Sequence, residues 1–113
     1  MIIIYHNNRC GKSRSALCIL EEKGKKFQII EYLKDAPTVE ELKSIIKKLK
    51  MKPHDIIITK EAVYIEQYKG KTLSDDEWLQ AMHENPILIE RPIVINGNKA
   101  VIARPPEKVN EIL

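Results

Sequence analysis

Long hydrophobic runs, a disulfide framework and a strong excess of one charge are all missing from this 113-residue chain, and each absence narrows what it can be. The apolar opening is only Met1-Ile2-Ile3-Ile4 before Tyr5-His6. That is too short for a signal-peptide core or a membrane span, which predicts a cytoplasmic protein with no membrane partner. Two cysteines make no disulfide framework, and a cytosolic setting keeps them reduced. A net charge of +3, from lysines spread along the chain, gives no reason to expect a nucleic-acid partner. There is no internal repeat, linker or low-complexity segment, and the length suits one domain over 1–113.

What is present reads as alternating strands and helices. A β-branched run over 1–5 predicts a buried strand. From Gly11 to Lys23, Ser13, Ala16, Leu17 and Leu20 share one helical face, and Gly24 is a natural stop. "KFQIIEY", 26–32, predicts a second strand, parallel to the first in a βαβ unit. Thr38 with Glu41 forms a capping box for a helix with the stripe Val39, Leu42, Ile45, Ile46 and Leu49, leaving Lys43, Lys47, Lys48 and Lys50 on a solvated face. The residues from 38 to 90 read as mainly helical, with an insert at about 53–90 whose first half is short helices or irregular structure. Ser74 with Glu77 caps its last helix, Asn85-Pro86 ends it, and Trp78 and Met82 are its packing face. Strands at about 92–95 and 99–103 flank Asn96-Gly97, a hairpin signal, and Pro105-Pro106 opens a final helix. The expected fold is α/β and thioredoxin-like: a four-stranded mixed sheet of order 2-1-3-4 flanked by helices, with a helical insert before the C-terminal hairpin.

The chemistry gathers in "IIIYHNNRCGKSR", residues 2–14, where the first strand delivers Cys10 to a helix start. A phosphate-binding P-loop fails because its first glycine falls on His6. A phosphatase loop fails because its arginine falls on Ala16, and a dithiol pair fails because Ser13 stands where the second cysteine belongs. A lone thiol remains, facing the free N–H groups of Gly11, Lys12 and Ser13, with Arg14 leaning back toward the sulfur and Arg9 and Lys12 adding positive field. Lowering a thiol pKa from about 8.5 to about 6.5 raises the thiolate share at pH 7 from a few per cent to about three quarters, and thiolate is the nucleophile. His6 either holds the turn through Ser13 or takes part in proton transfer. Cys18 lies roughly 12 Å along the helix from Cys10, beyond disulfide reach, and off the apolar stripe, so it reads as an exposed bystander. His54 and His83 lack partners at metal-ligand spacing and read as surface residues, and no metal is expected.

His6-x-x-x-Cys10-x-x-x-Arg14, "YLKDAPTVEELK" at 32–43 and "NPILIERPIVINGNKAVIARPPEKVNEIL" at 85–113 closely resemble the glutaredoxin-linked arsenate reductase family. The resemblance covers almost the whole chain. It implies a thioredoxin-like fold with a helical insert and a cis peptide at Arg91-Pro92. It also implies that Cys10 attacks arsenate or a similar oxyanion, with Arg91 and Arg104 balancing its charge, and that glutathione as co-substrate and glutaredoxin as partner regenerate the thiol. No tightly bound cofactor is implied. The sequence departs from the family at two places: Asn8 stands where the loop usually has proline, and Ile58, six residues before Tyr64, stands where a third oxyanion arginine is usual. Ile58 keeps in view a glutathione- or glutaredoxin-linked reductase of a different substrate. The fold also resembles that of regulators that bind RNA polymerase, and the lysine-bearing helix at 38–50 leaves that reading open, although Ser13 counts against their Cys-x-x-Cys switch.

Overall fold

The computed structural model describes residues 2–113, with the strand expected over 1–5 running Ile2–His6 and Met1 outside the described residues. The chain divides into two compact units, Met1–Asp35 with Arg91–Leu113, and Ala36–Glu90.

The first unit holds the sheet. Strand β1 (Ile2–His6) leads to helix α1 (Gly11–Glu22), and β2 (Phe27–Glu31) returns parallel to β1. Strand β3 (Ile93–Asn96) runs antiparallel on the other side of β1, and β4 (Lys99–Ile102) pairs with β3, giving the order β2-β1-β3-β4. Because strand side chains alternate, one face presents Ile2, Ile4, Val94 and Ala103. These pack with Ala16 and Leu20 of α1 and with Val109 and Ile112 of the C-terminal segment. Gly24, at φ 65°, ends α1 in the left-handed conformation that glycine tolerates best.

Two details differ from the sequence reading. The hairpin loop is Gly97-Asn98, because Asn96 stays in the ladder opposite Lys99 and its amide donates to the Ile112 carbonyl oxygen at 2.6 Å. The positive φ of Gly97, 63°, then falls on the first loop residue, as a type II′ turn requires. The last helix, Pro106–Ile112, is wound as a 3₁₀ helix. Three residues per turn put Pro106, Val109 and Ile112 on one side, and Val109 and Ile112 are buried.

The second unit is helical: α2 (Val39–Leu49), a 3₁₀ turn at Pro53–Ile56, α3 (Ala62–Gln67), α4 (Asp75–Glu84) and a turn at Pro86–Leu88. Both capping boxes form. Thr38 Oγ1 accepts from Glu41 N–H while Thr38 N–H donates to the Glu41 carboxylate, each at 3.1 Å, and Ser74 and Glu77 repeat the exchange. Leu42, Ile45 and Ile46 of α2 and Trp78, Leu79, Ala81 and Met82 of α4 are buried, so each stripe is a packing face. His54 and His83 do more than sit at the surface. The His54 ring meets Trp78 edge-on at 4.8 Å, and His83 Nδ1 lies 2.9 Å from the Pro37 carbonyl oxygen.

Candidate active site

The registers carry one row of polar residues across the end of the sheet. His6 pairs with Glu31, so Asn7 follows beside Tyr32; Tyr5 pairs with Ile93, which brings Asn7 opposite Arg91. Ile93 pairs with Ile102, and Ala103 N–H donates to the Pro92 carbonyl oxygen at 2.9 Å. There the chain turns, Arg104 N–H donating back to the Ile102 carbonyl oxygen at 2.9 Å, so Arg104 follows β4 at the end of the sheet where Arg91 precedes β3. Tyr32, Asn7 and Arg91 thus follow one another in strand order, with Arg104 just past the end of β4. The Arg91-Pro92 peptide is cis, as the resemblance implies, and Arg104-Pro105 is cis as well.

Cys10 enters this row from the β1–α1 corner. Its N–H donates to the Asn7 carbonyl oxygen at 3.0 Å, and its own carbonyl accepts the first helical bond, from Arg14 N–H, at 3.0 Å. It is therefore the N-cap of α1, in extended conformation, holding sulfur where caps usually place oxygen. The first turn contains no acidic side chain to compete for the helix N–H groups. Burial pushes the half-buried thiol up. The Ser13 N–H, the Arg91 guanidinium, the Lys12 N–H and the charge on Arg91 all act against burial, and the net direction is down. Burial likewise disfavours charge on Arg91, but Cys10 and Tyr32 beside it reverse that, and the guanidinium is held more firmly charged than usual.

Ser13 is fully buried and ties the corner together. Its Oγ lies 2.6 Å from His6 Nδ1 and accepts from Asn7 N–H at 3.0 Å, while its own N–H faces the sulfur. A nucleophilic sulfur with two amide donors and a guanidinium converging on it suits attack on an electron-poor centre carrying oxyanions.

A family model for ArsC proteins matches residues 5–112. The chain belongs to the ArsC family. It is 47% identical over 114 residues to the arsenate reductase of Haemophilus influenzae, covering 99% of this chain and 98% of that one. It is 39% identical over 114 residues to the arsenate reductase of Neisseria meningitidis serogroup A, covering 99% and 97%. Among solved structures, the arsenate reductase from Vibrio cholerae superposes with a TM-score of 0.95 at 46% identity, covering 99% of this chain and 97% of that one. The chain is thus a full-length homologue of arsenate reductases, with the α/β thioredoxin-like fold of the ArsC family.

Within this ArsC chain the sequence-predicted residues fall out unevenly. Cys10, Lys12, Ser13 and Arg91 converge on the sulfur, and Gly11 opens the helix next to it. Arg104 lies two residues beyond β4, at the end of the sheet where Arg91 precedes β3. His6 is buried and turned to Ser13, which places it in the scaffold of the corner. Arg14 departs from expectation. Its Nη1 donates to the Asn8 carbonyl oxygen at 3.1 Å, closing the loop, and the guanidinium beside the sulfur is that of Arg91. Asn8, in place of the usual proline, is exposed and donates through Nδ2 to Glu31. Cys18 is free and exposed on the body of α1. Ile58 is half-buried, its N–H donating to the Leu88 carbonyl oxygen at 2.7 Å. Among the described residues, no three His, Cys, Asp or Glu side chains come together as a metal site, and no helix is long and apolar enough to cross a membrane.

Sequence reasoning missed Tyr32 and Asn7, both buried at this edge. Asn7 Oδ1 accepts from Arg9 N–H at 3.0 Å. The signal for both is positional, because each is the first residue beyond a parallel strand on the side of the sheet where Cys10 lies.

Proposed function

We propose that this protein is a monothiol arsenate reductase. The observation that carries the reading is a sulfur on an uncapped helix start, faced by the Ser13 and Lys12 N–H groups and the Arg91 guanidinium, in a full-length homologue of arsenate reductases. The Cys10 thiolate attacks arsenic(V) and an oxygen of arsenate leaves as water, with the helix N–H groups, Arg91 and Arg104 steadying the remaining oxyanion charge. Glutathione then attacks the cysteine-bound arsenic. The two sulfurs join as a mixed disulfide, the electron pair goes to arsenic, and arsenite departs. Glutaredoxin takes the glutathione from Cys10 and restores the thiol. A groove of about 620 Å³ beside Gly11, with Lys12, Arg14 and Glu107 among its walls, offers a charged tripeptide room and counter-charges.

The test is arsenite release by purified protein supplied with arsenate, glutathione and glutaredoxin, with Cys10→Ser as the blank. Ile58 favours a second reading, since this chain has no guanidinium where the family's third oxyanion arginine belongs. A protein that yields no arsenite yet turns over a glutathionylated peptide through a reactive Cys10 is a thiol reductase of another substrate.

A further inference from the structure

Tyr32 is the least explained residue at the edge of the sheet. It is 1% exposed, and its hydroxyl oxygen is closed off from solvent and makes no well-formed hydrogen bond, so its lone pairs have only the charge and dipoles of neighbouring protein groups to face. Those groups are the Arg91 guanidinium and the Asn7 side chain. A buried polar atom is costly unless a partner answers it, and arginine, which has only donors, can answer only an acceptor. The asparagine is itself fixed, because its Oδ1 accepts from Arg9 N–H. The same guanidinium also faces the Cys10 sulfur. Arg91 therefore acts on both a neutral phenol and the thiol, at the end of the sheet to which the strand registers bring it.

We propose that Tyr32 is a positioning residue: its buried hydroxyl braces the Arg91 guanidinium in the orientation that serves the Cys10 sulfur and the oxyanion bound there. The inference rests on the reading of Cys10 as the nucleophile. An arginine side chain free to rotate spends part of its time away from the sulfur, and a fixed acceptor facing its planar fork restrains that freedom. Burial pushes the Tyr32 hydroxyl up, against the opposing pull of Arg91, so it stays a neutral acceptor and does not compete with the thiolate as a second anion.

The experiment is pH-dependent alkylation of Cys10 in the full chain, in a Cys18→Ser background so that one thiol reports. The other charged and titratable groups near the corner, Arg9, Lys12, Arg14, Arg104, Glu31 and His6, are unchanged throughout. Tyr32→Phe keeps the ring and removes the oxygen. The expected result is a midpoint moved up toward an ordinary thiol and alkylation about two- to fivefold slower on the acid side. In an Arg91→Lys background the same substitution should add nothing. An unmoved or lowered midpoint overturns the proposal, even if thermal stability falls, because packing alone would do that. An undiminished upward shift in the Arg91→Lys background overturns it as well. Alkylation needs no arsenate, so the expected shift in a protein that releases no arsenite upholds Tyr32 and sinks only the substrate. A Cys10 that titrates as an ordinary thiol sinks both.

Discussion

Helix α1 and helices α2 and α4 solve the same problem in opposite ways. Every helix begins with N–H groups that have no partner in its own ladder. At α2 and α4 the chain supplies oxygen, from Thr38 and Glu41 in one case and Ser74 and Glu77 in the other, and carboxylates in the first turn meet the positive end of the dipole. The exposed Glu77 carboxyl is held below its ordinary range by the backbone and hydroxyl of Ser74. At α1 there is no capping oxygen and no acid in the first turn, and the cap residue is Cys10. The partial charge that stabilises α2 and α4 is directed at a sulfur in α1. Helix α3 also begins without a side-chain cap bond, at Glu61, so the missing oxygen alone is not the mark of the candidate site; the sulfur at the α1 start is.

The sharpest way to break the contrast is to give α1 the cap its neighbours have. Cys10→Ser places a hydroxyl where the Ser13 N–H points. We expect arsenate turnover to fall by about a thousandfold or more, with the unfolding midpoint in urea unchanged or raised. Turnover surviving in this variant would remove Cys10 from the chemistry. Next in size is Arg91→Lys. An ammonium is a point charge and cannot face both Cys10 and Tyr32 as the planar fork does. Turnover should drop about a hundredfold and the Cys10 alkylation midpoint should rise. The sign of the pH dependence follows from the lowered thiol: wild-type alkylation persists below the pH at which a free thiol protonates, and fades only as pH falls through the lower folded value. A profile identical to that of free cysteine contradicts this placement.

A milder perturbation imports the acid that α1 lacks. Lys12→Glu puts a carboxylate in the first turn, as Glu40 and Glu41 stand in α2. Competition for the dipole at an exposed position is worth about 0.3–1 kcal/mol, so acid-side alkylation should slow about two- to fivefold. Faster alkylation would show that the local field is not what activates the sulfur.

How much of this was legible in sequence depends on how local each determinant is. The capping boxes, the α1 face of Ser13, Ala16 and Leu20, and the glycine stop at 24 are written within a few residues, and all form. The hairpin was legible to within one residue. Asn-Gly is a strong local turn signal, but the Asn96 amide is taken by Ile112, sixteen residues away, and the loop moves on by one. Arg14 shows the same limit at the site. Four residues from Cys10 on a helix, it looked placed to reach the sulfur, yet it closes the loop onto Asn8 while Arg91 comes to the thiol. Tyr32 and Asn7 were illegible because only strand register makes them neighbours of Arg91. The family resemblance supplied Arg91 and Arg104; the physics of the local sequence supplied Cys10, Lys12 and Ser13.

The smallest expected effect tests the other half of the contrast. Thr38→Ala removes the hydroxyl that accepts from Glu41 N–H and leaves the reciprocal bond to the Glu41 carboxylate without its partner. Loss of such a cap costs about 1 kcal/mol, which a urea titration resolves as a lower midpoint with an unchanged slope. The Cys10 alkylation profile should not move, since the groups acting on that sulfur are Ser13, Lys12 and Arg91, none of them in α2. The result separates two uses of one physical device. At Thr38 the N–H groups hold a helix together, and removing their acceptor is read as stability; at Cys10 they face a sulfur and favour its charged form, and removing it is read as reactivity. A Thr38→Ala protein whose thiol midpoint rose along with its loss of stability would mean that Cys10 is activated by the rigidity of the whole chain, and the local account of the α1 corner would have to be given up.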